Sequence, residues 1–103
     1  MLFITYWELN PDFDPSELAD LAQTFLTKKL FPAEGLEIIG WYVTPEYWGI
    51  SISKADSEEA VMREATGWRI AKPGIFTSFR ISPAMEVAQV LPLVTQLKNR
   101  IKG

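Results

Sequence analysis

A segment near the start of the chain carries apolar residues on both of its alternating faces, which predicts a strand buried on both sides. The segment Leu2 to Leu9 is rich in aromatic and β-branched residues. One alternating face carries Leu2, Ile4 and Tyr6, and the other carries Phe3, Thr5 and Trp7. Since both faces are largely apolar, we expect both to be covered.

The next pattern has helical spacing and begins at a strong start signal. Asp14 is predicted to be the N-cap and Pro15 the first helical residue, and Pro32 with Gly35 stops the helix. A second helix is predicted to begin after Ser57 and to end at "AKPG". The inward stripes of the two helices are predicted to be Leu18, Leu21, Ala22 and Phe25, and then Val61, Ala65 and Trp68.

The remaining segments predict three more strands and a third helix. Residues 36–44 and 48–54 form a hairpin around Pro45 and Glu46, with Tyr47 as the aromatic residue expected to be most exposed. Residues 75–81 form a fourth strand, and Ser82 with Pro83 opens a helix over residues 83–102. Pro92 lies off the apolar stripe of that helix, so a kink there is expected rather than two separate helices.

This order, β-α-β-β-α-β plus a C-terminal helix, predicts one α+β domain over residues 1–103 with the ferredoxin-like arrangement. Two helices would cover one face of a four-stranded antiparallel sheet. The second apolar face then needs a cover. The third helix, a second subunit stacked sheet on sheet, and a ligand all remain open as that cover.

Composition narrows the chemistry. The chain has no cysteine and no histidine, which excludes disulfides, thiolate or imidazole metal sites and His-based nucleophile systems. The net charge of −3 disfavours nucleic acid as a partner, and the lysines near residues 28–29 and 98–102 are expected to complement helix dipoles. No metal or cofactor is expected. The sequence has no signal peptide or membrane-span pattern, so we expect a cytoplasmic protein that does not bind membranes.

Small and polar residues near the middle of the strands predict a ligand cavity in the sheet. Arg80 among aromatic residues would anchor a carboxylate or an enolate on an apolar ligand. Alternatively, Arg80 pairs with Glu8 or Glu37 and the serines are only packing spacers. The candidate ligand-binding residues are Thr5, Trp7, Ser51, Ser53, Ser78 and Arg80, with Trp41 or Tyr42 at the edge.

The stretches "MLF", "FPAEGLEIIGWYV" and "GIFTSFRISP" resemble the family called domain of unknown function DUF3303, over residues 1–85. The sequence departs from the family pattern at "EATGWRIAKPG", where members tend to have a Trp-x-x-Trp-like helix, and in its longer C-terminal helix. The resemblance implies the dimeric α/β-barrel superfamily, in which two ferredoxin-like subunits stack their sheets. Relatives there include cofactor-independent monooxygenases, muconolactone isomerases and haem-degrading enzymes, but the histidine common in several of them has no counterpart here.

Three functions therefore remain open. The first is a homodimer that binds a compact apolar or acidic small molecule in a barrel pocket. The second is a cofactor-free monooxygenase or isomerase, with Trp7, Trp41 or Tyr42 orienting an aromatic substrate and Arg80 stabilising an enolate. The third is an assembly module, in which the C-terminal helix or the aromatic hairpin docks a protein partner.

Overall fold

A computed structural model describes all 103 residues of the chain and contains the predicted elements in the predicted order. The strands are β1 (Leu2–Leu9), β2 (Leu36–Val43), β3 (Trp48–Ala55) and β4 (Phe76–Pro83). The helices are α1 (Pro15–Thr27), α2 (Glu58–Ala71) and α3 (Val87–Lys102).

The four strands form one antiparallel sheet in the order β2-β3-β1-β4. Strand β1 lies in the middle, between β3 and β4, although it comes first in the chain. This topology confirms the α+β, ferredoxin-like prediction, and it is compatible with the superfamily that the sequence resemblance implies.

Helices α1 and α2 begin at the predicted caps. The side chain of Asp14 accepts a hydrogen bond from the Glu17 backbone N–H at 2.9 Å, and that of Ser57 accepts one from the Ala60 N–H at 3.2 Å. Each bond satisfies one of the amide donors that a helix leaves unpaired in its first turn.

Alternation along the strands gives the sheet an inner face, covered by α1 and α2, and an open face. The inner face carries Phe3 and Ala55, which pack with Ala60 and Val61 of α2 in the buried core. The open face carries apolar side chains that are only partly buried or exposed, namely Ile4, Tyr6, Trp48, Ile50 and Ile52.

The C-terminal helix begins later than predicted. Strand β4 continues through Ser82 and Pro83, which pair with Ile4 and Phe3, and the Ala84 N–H donates to the Leu2 carbonyl at 2.9 Å. Proline can remain in the strand because β4 is an edge strand, where a missing N–H need not break a ladder bond. The predicted helix start at residue 83 is therefore wrong, and α3 starts at Val87.

Helix α3 projects from the sheet instead of covering it. None of its residues is buried, and the molecule is 58 Å long against 28 and 20 Å in the other directions. The helix runs continuously through Pro92, so the proline does not divide it into two helices. Helix α3 therefore does not cover the open face of the sheet in the same chain. None of the three helices is both long and apolar enough to cross a bilayer.

Candidate ligand cavity

A cavity of about 530 Å³ lies between the inner face of the sheet and helices α1 and α2. Small side chains stand on both of its walls: Thr5 and Ser51 on the sheet, and Ala19 and Ala22 on α1. Because short side chains meet short side chains there, the helices and the sheet do not fill the space between them. A cavity of this volume is within the range of small-molecule sites.

The indole of Trp7 forms part of the cavity wall on the sheet side, and a glycine on the neighbouring strand leaves room for it. Trp7 on β1 pairs with Gly49 on β3, and its side chain is 8% exposed. A Cβ atom on Gly49 would lie 2.5 Å from Cζ2 of Trp7, far inside van der Waals contact. Glycine at this position therefore lets the indole lie against the backbone of β3.

Three aromatic rings form a second wall beside β2, those of Phe31, Trp41 and Trp68, and Phe25 packs on Trp68 outside the cavity lining. The rings of Phe25 and Trp68 are stacked with centroids 4.0 Å apart. Phe31 lies 4.2 Å from Trp41 and meets Trp68 edge to face at 5.7 Å. Each ring limits the movement of the next, so we expect this wall to be largely pre-formed before any ligand enters.

Glu64 on α2 is the one charged side chain in the cavity lining. Its Oε1 accepts a hydrogen bond from the Ala33 backbone N–H at 3.2 Å, and its Oε2 accepts one from Trp68 Nε1–H at 2.8 Å. Burial raises the pKa of this carboxyl above its ordinary value, although the two hydrogen bonds act in the opposite direction. An apolar cavity with a fixed, desolvated carboxylate can orient a ligand that donates a hydrogen bond.

Tyr47 closes the hairpin end of the cavity, contrary to the prediction that it is the most exposed aromatic residue. Its hydroxyl donates to the Phe13 backbone carbonyl at 2.9 Å, and the residue is only partly exposed. The bond joins the β2–β3 turn to the loop before α1. The prediction failed because the turn folds toward that loop, which strand alternation does not describe.

Five of the eight predicted site residues line this cavity: Thr5, Trp7, Trp41, Tyr42 and Ser51. Trp41 pairs with Ser51 and is 38% exposed, whereas Tyr42 pairs with Ile50, so its side chain lies on the open face and is 61% exposed. Ser53 lies on the inner face too, but it is buried outside the cavity lining.

Ser78 and Arg80 lie on the opposite side of the sheet. Arg80 pairs with Tyr6 and Ser78 with Glu8, whereas Thr5 pairs with Ile81. Paired residues point to the same side, so Arg80 and Ser78 share the open face with Tyr6. The prediction of one cavity containing all eight residues is therefore wrong for these two.

Because of this placement, Arg80 cannot have the ligand-binding role predicted for it. A guanidinium on the open face cannot anchor a carboxylate or stabilise an enolate inside the cavity. The alternative ion pair with Glu8 or Glu37 is absent as well, since the two salt bridges of the structure join Arg63 to Glu59 and Lys72 to Glu17. Arg80 instead lies in a shallow groove on the open face.

The sequence reasoning missed Glu64, although a local signal was present. Glu64 stands three residues after Val61 and four before Trp68, so it falls on the same helical stripe as the inward-facing residues of α2. An acidic residue on an inward stripe points either to a buried partner or to a cavity. No three acidic side chains converge into a group that could hold a metal ion.

Comparison with protein families gives a match over residues 1–98 to the family described as Domain of unknown function (DUF3303). The match covers nearly the whole chain, including the part of α3 that the sequence resemblance had not reached. A search among curated proteins found none that matches.

Proposed function

The chain belongs to the DUF3303 family, and we propose that it binds a compact, mainly apolar small molecule in the cavity between its sheet and helices. The observation that carries this proposal is the cavity itself, about 530 Å³ with hydrophobic residues at 14 of its 20 lining positions. Apolar pockets with a few fixed polar groups are the usual form of small-molecule sites.

The structure of the lining favours an uncharged ligand over an acidic one. No Lys or Arg side chain lines the cavity, and its one formal charge is that of Glu64. An acidic ligand would enter without a cation to pair with and would meet a like charge. The acidic class of ligand, which depended on Arg80, therefore has no support from this site.

Native mass spectrometry of the protein purified from its own host tests the proposal, because it reports a retained small molecule and the oligomeric state together. Ala22→Phe should abolish retention by filling the cavity. Ala88→Phe is the matched control, since Ala88 is exposed on α3 and lies far from the lining. Equal retention by both variants would place the ligand elsewhere.

We further propose that the open face of the sheet pairs with a second copy of the chain. Its apolar residues include Ile4, which is 42% exposed, beside Tyr6 and Ile50. Contiguous apolar surface of this kind is typical of interfaces. Glu8 and Arg80 lie on this same face, so an arrangement with two-fold symmetry allows the carboxylate of each copy to approach the guanidinium of the other.

Sedimentation equilibrium tests this pairing. Ile50→Asp should convert the dimer to a monomer, because it places a charge in the buried interface. Ile70→Asp carries the same change at a residue that is 73% exposed on α2, away from the open face, and should leave the mass unchanged. A wild-type mass equal to that of one chain would contradict the proposal.

Helix α3 supports a second candidate function, assembly with a protein partner. Its apolar stripe is unpartnered in this chain: Val87, Leu91, Val94, Leu97 and Ile101 are each more than half exposed. The double variant Leu91→Glu and Leu97→Glu should lower the assembled mass while leaving cavity binding intact. An unchanged mass would exclude α3 from assembly.

A further inference from the structure

Glu64 is placed so that its carboxylate can serve a ligand as well as the fold. Its two protein partners, the Ala33 N–H and the Trp68 indole N–H, occupy different oxygens of the carboxyl. A carboxylate oxygen has two acceptor positions. Each oxygen of Glu64 therefore keeps one position, and the side chain forms part of the cavity wall.

The same two hydrogen bonds fix the direction in which the carboxylate points. Trp68 follows Glu64 by one helical turn, and its ring is stacked on Phe25. Ala33 is 8% exposed and belongs to the loop between α1 and β2. A carboxylate held between a packed ring and a buried backbone amide is oriented before the ligand arrives, which favours a directional hydrogen bond.

No cation neutralises this carboxylate. Neither salt bridge of the structure involves Glu64, and the rest of the cavity lining is uncharged. Inside a cavity lined mostly by apolar groups, a hydrogen-bond donor gains more from such an acceptor than it would in water, while an anion is repelled.

We propose that Glu64 accepts a hydrogen bond from the ligand, so that the cavity selects compact aromatic molecules bearing an N–H or O–H donor, such as indoles and phenols, and rejects aromatic carboxylates. This inference rests on the proposed small-molecule function. It adds the chemical class of the ligand and the residue that recognises it.

Isothermal titration calorimetry of the full-length protein with four probes tests the inference. Indole and benzofuran have nearly the same shape, but only indole carries a donor. 2-Naphthol and 2-naphthoate share a ring system, but one is a neutral donor and the other an anion. Since a hydrogen bond to a charged group is worth about tenfold or more in affinity, indole and 2-naphthol should each bind at least about tenfold more tightly than their counterparts.

Variants then assign the selectivity to the carboxylate. Glu64→Gln removes the charge and should bring 2-naphthoate close to 2-naphthol in affinity. Glu59→Gln makes the same change on the same helix at a side chain that is 79% exposed, and should leave both ratios as in the wild type. Should Glu64→Gln fail to fold, equal affinities within each probe pair on the wild-type protein would still overturn the inference.

The outcomes separate this inference from the function on which it rests. Equal affinities within each probe pair would overturn the role of Glu64 and leave a cavity that binds by shape alone. Absence of binding by all four probes would overturn the inference together with the proposed small-molecule site.

Discussion

Replacement of Gly49 by alanine tests whether the sheet wall of the cavity is held in place by the close approach of Trp7 to β3. The added Cβ would meet the backbone carbonyl oxygen of Tyr42 and, at 2.5 and 2.8 Å, the Cζ2 and Cε2 atoms of the Trp7 indole. Carbon atoms in good contact are about 3.5–4.0 Å apart. Either the buried indole or the backbone of β2 must therefore move.

The expected destabilisation is about 1–3 kcal/mol, the usual result of adding a methyl group to a filled site. This loss should exceed the gain of about 0.5–1 kcal/mol that alanine ordinarily brings over glycine inside a strand or helix. In a domain of this size, the loss corresponds to a melting temperature lower by about 4–8 °C for each kcal/mol.

Gly67→Ala is the matched control, because it makes the same change where space exists. Its Cβ would lie 3.7 Å from Cε2 of Phe25, an ordinary contact on the inner side of α2. This variant should be more stable than the wild type by about 0.5–1 kcal/mol.

Urea unfolding followed by far-ultraviolet circular dichroism measures both variants, at one fixed protein concentration because subunit pairing would make stability depend on it. Indole binding should weaken in Gly49→Ala as Trp7 is displaced, and should be unchanged in Gly67→Ala. Gly49→Ala with wild-type stability and wild-type indole affinity would refute the packing argument.

Three further predictions follow from single side chains. Burial raises the pKa of Glu64, so the folded state binds the carboxyl proton more tightly than the unfolded state does. The resulting contribution to stability is full below the ordinary pKa of 4.5 and is lost as the pH rises through the raised pKa. Urea midpoints measured between about pH 4 and pH 7 should therefore fall less in Glu64→Gln than in the wild type. Arg80→Ala should leave the indole affinity measured by calorimetry unchanged within about twofold, because Arg80 lies on the opposite side of the sheet from the cavity. Asp14→Ala should lower the free energy of unfolding by about 1 kcal/mol in the same urea assay, since the Glu17 N–H loses its acceptor, while Asp12→Ala, in the preceding loop, should lower it less.

The order of elements was predictable because its signals are local. The Asp14 and Ser57 caps and the strand at residues 2–9 each depend on residues only a few positions apart, and the structure has each of them, although the expected cover of both faces of β1 is not present in a single chain. Family membership was predictable for a similar reason, since the resemblance depends on short stretches of sequence that the family match covers.

The side of the sheet on which Arg80 lies was not predictable, because it depends on register between distant strands. Alternation correctly separated Ser78 and Arg80 from Phe79 and Ile81 along β4. It could not decide which set shares a face with Thr5, and a shift of one residue between strands exchanges the two answers. The register that places Ile81 opposite Thr5 joins residues 76 positions apart in the chain.

The cavity was only partly predictable because it depends on what two separate segments leave unfilled. Thr5 and Ser51 were recognised as small residues on the sheet, but the empty space also requires Ala19 and Ala22 on the helix above them. The position of Glu64 also depends on two separate segments of the chain. Its carboxylate can remain between sheet and helix because the Ala33 N–H and the Trp68 indole N–H both donate to it, and Ala33 lies 31 positions away in the chain. The place of Glu64 in the cavity wall is thus set by a backbone donor from the loop between α1 and β2 as much as by its own position in α2.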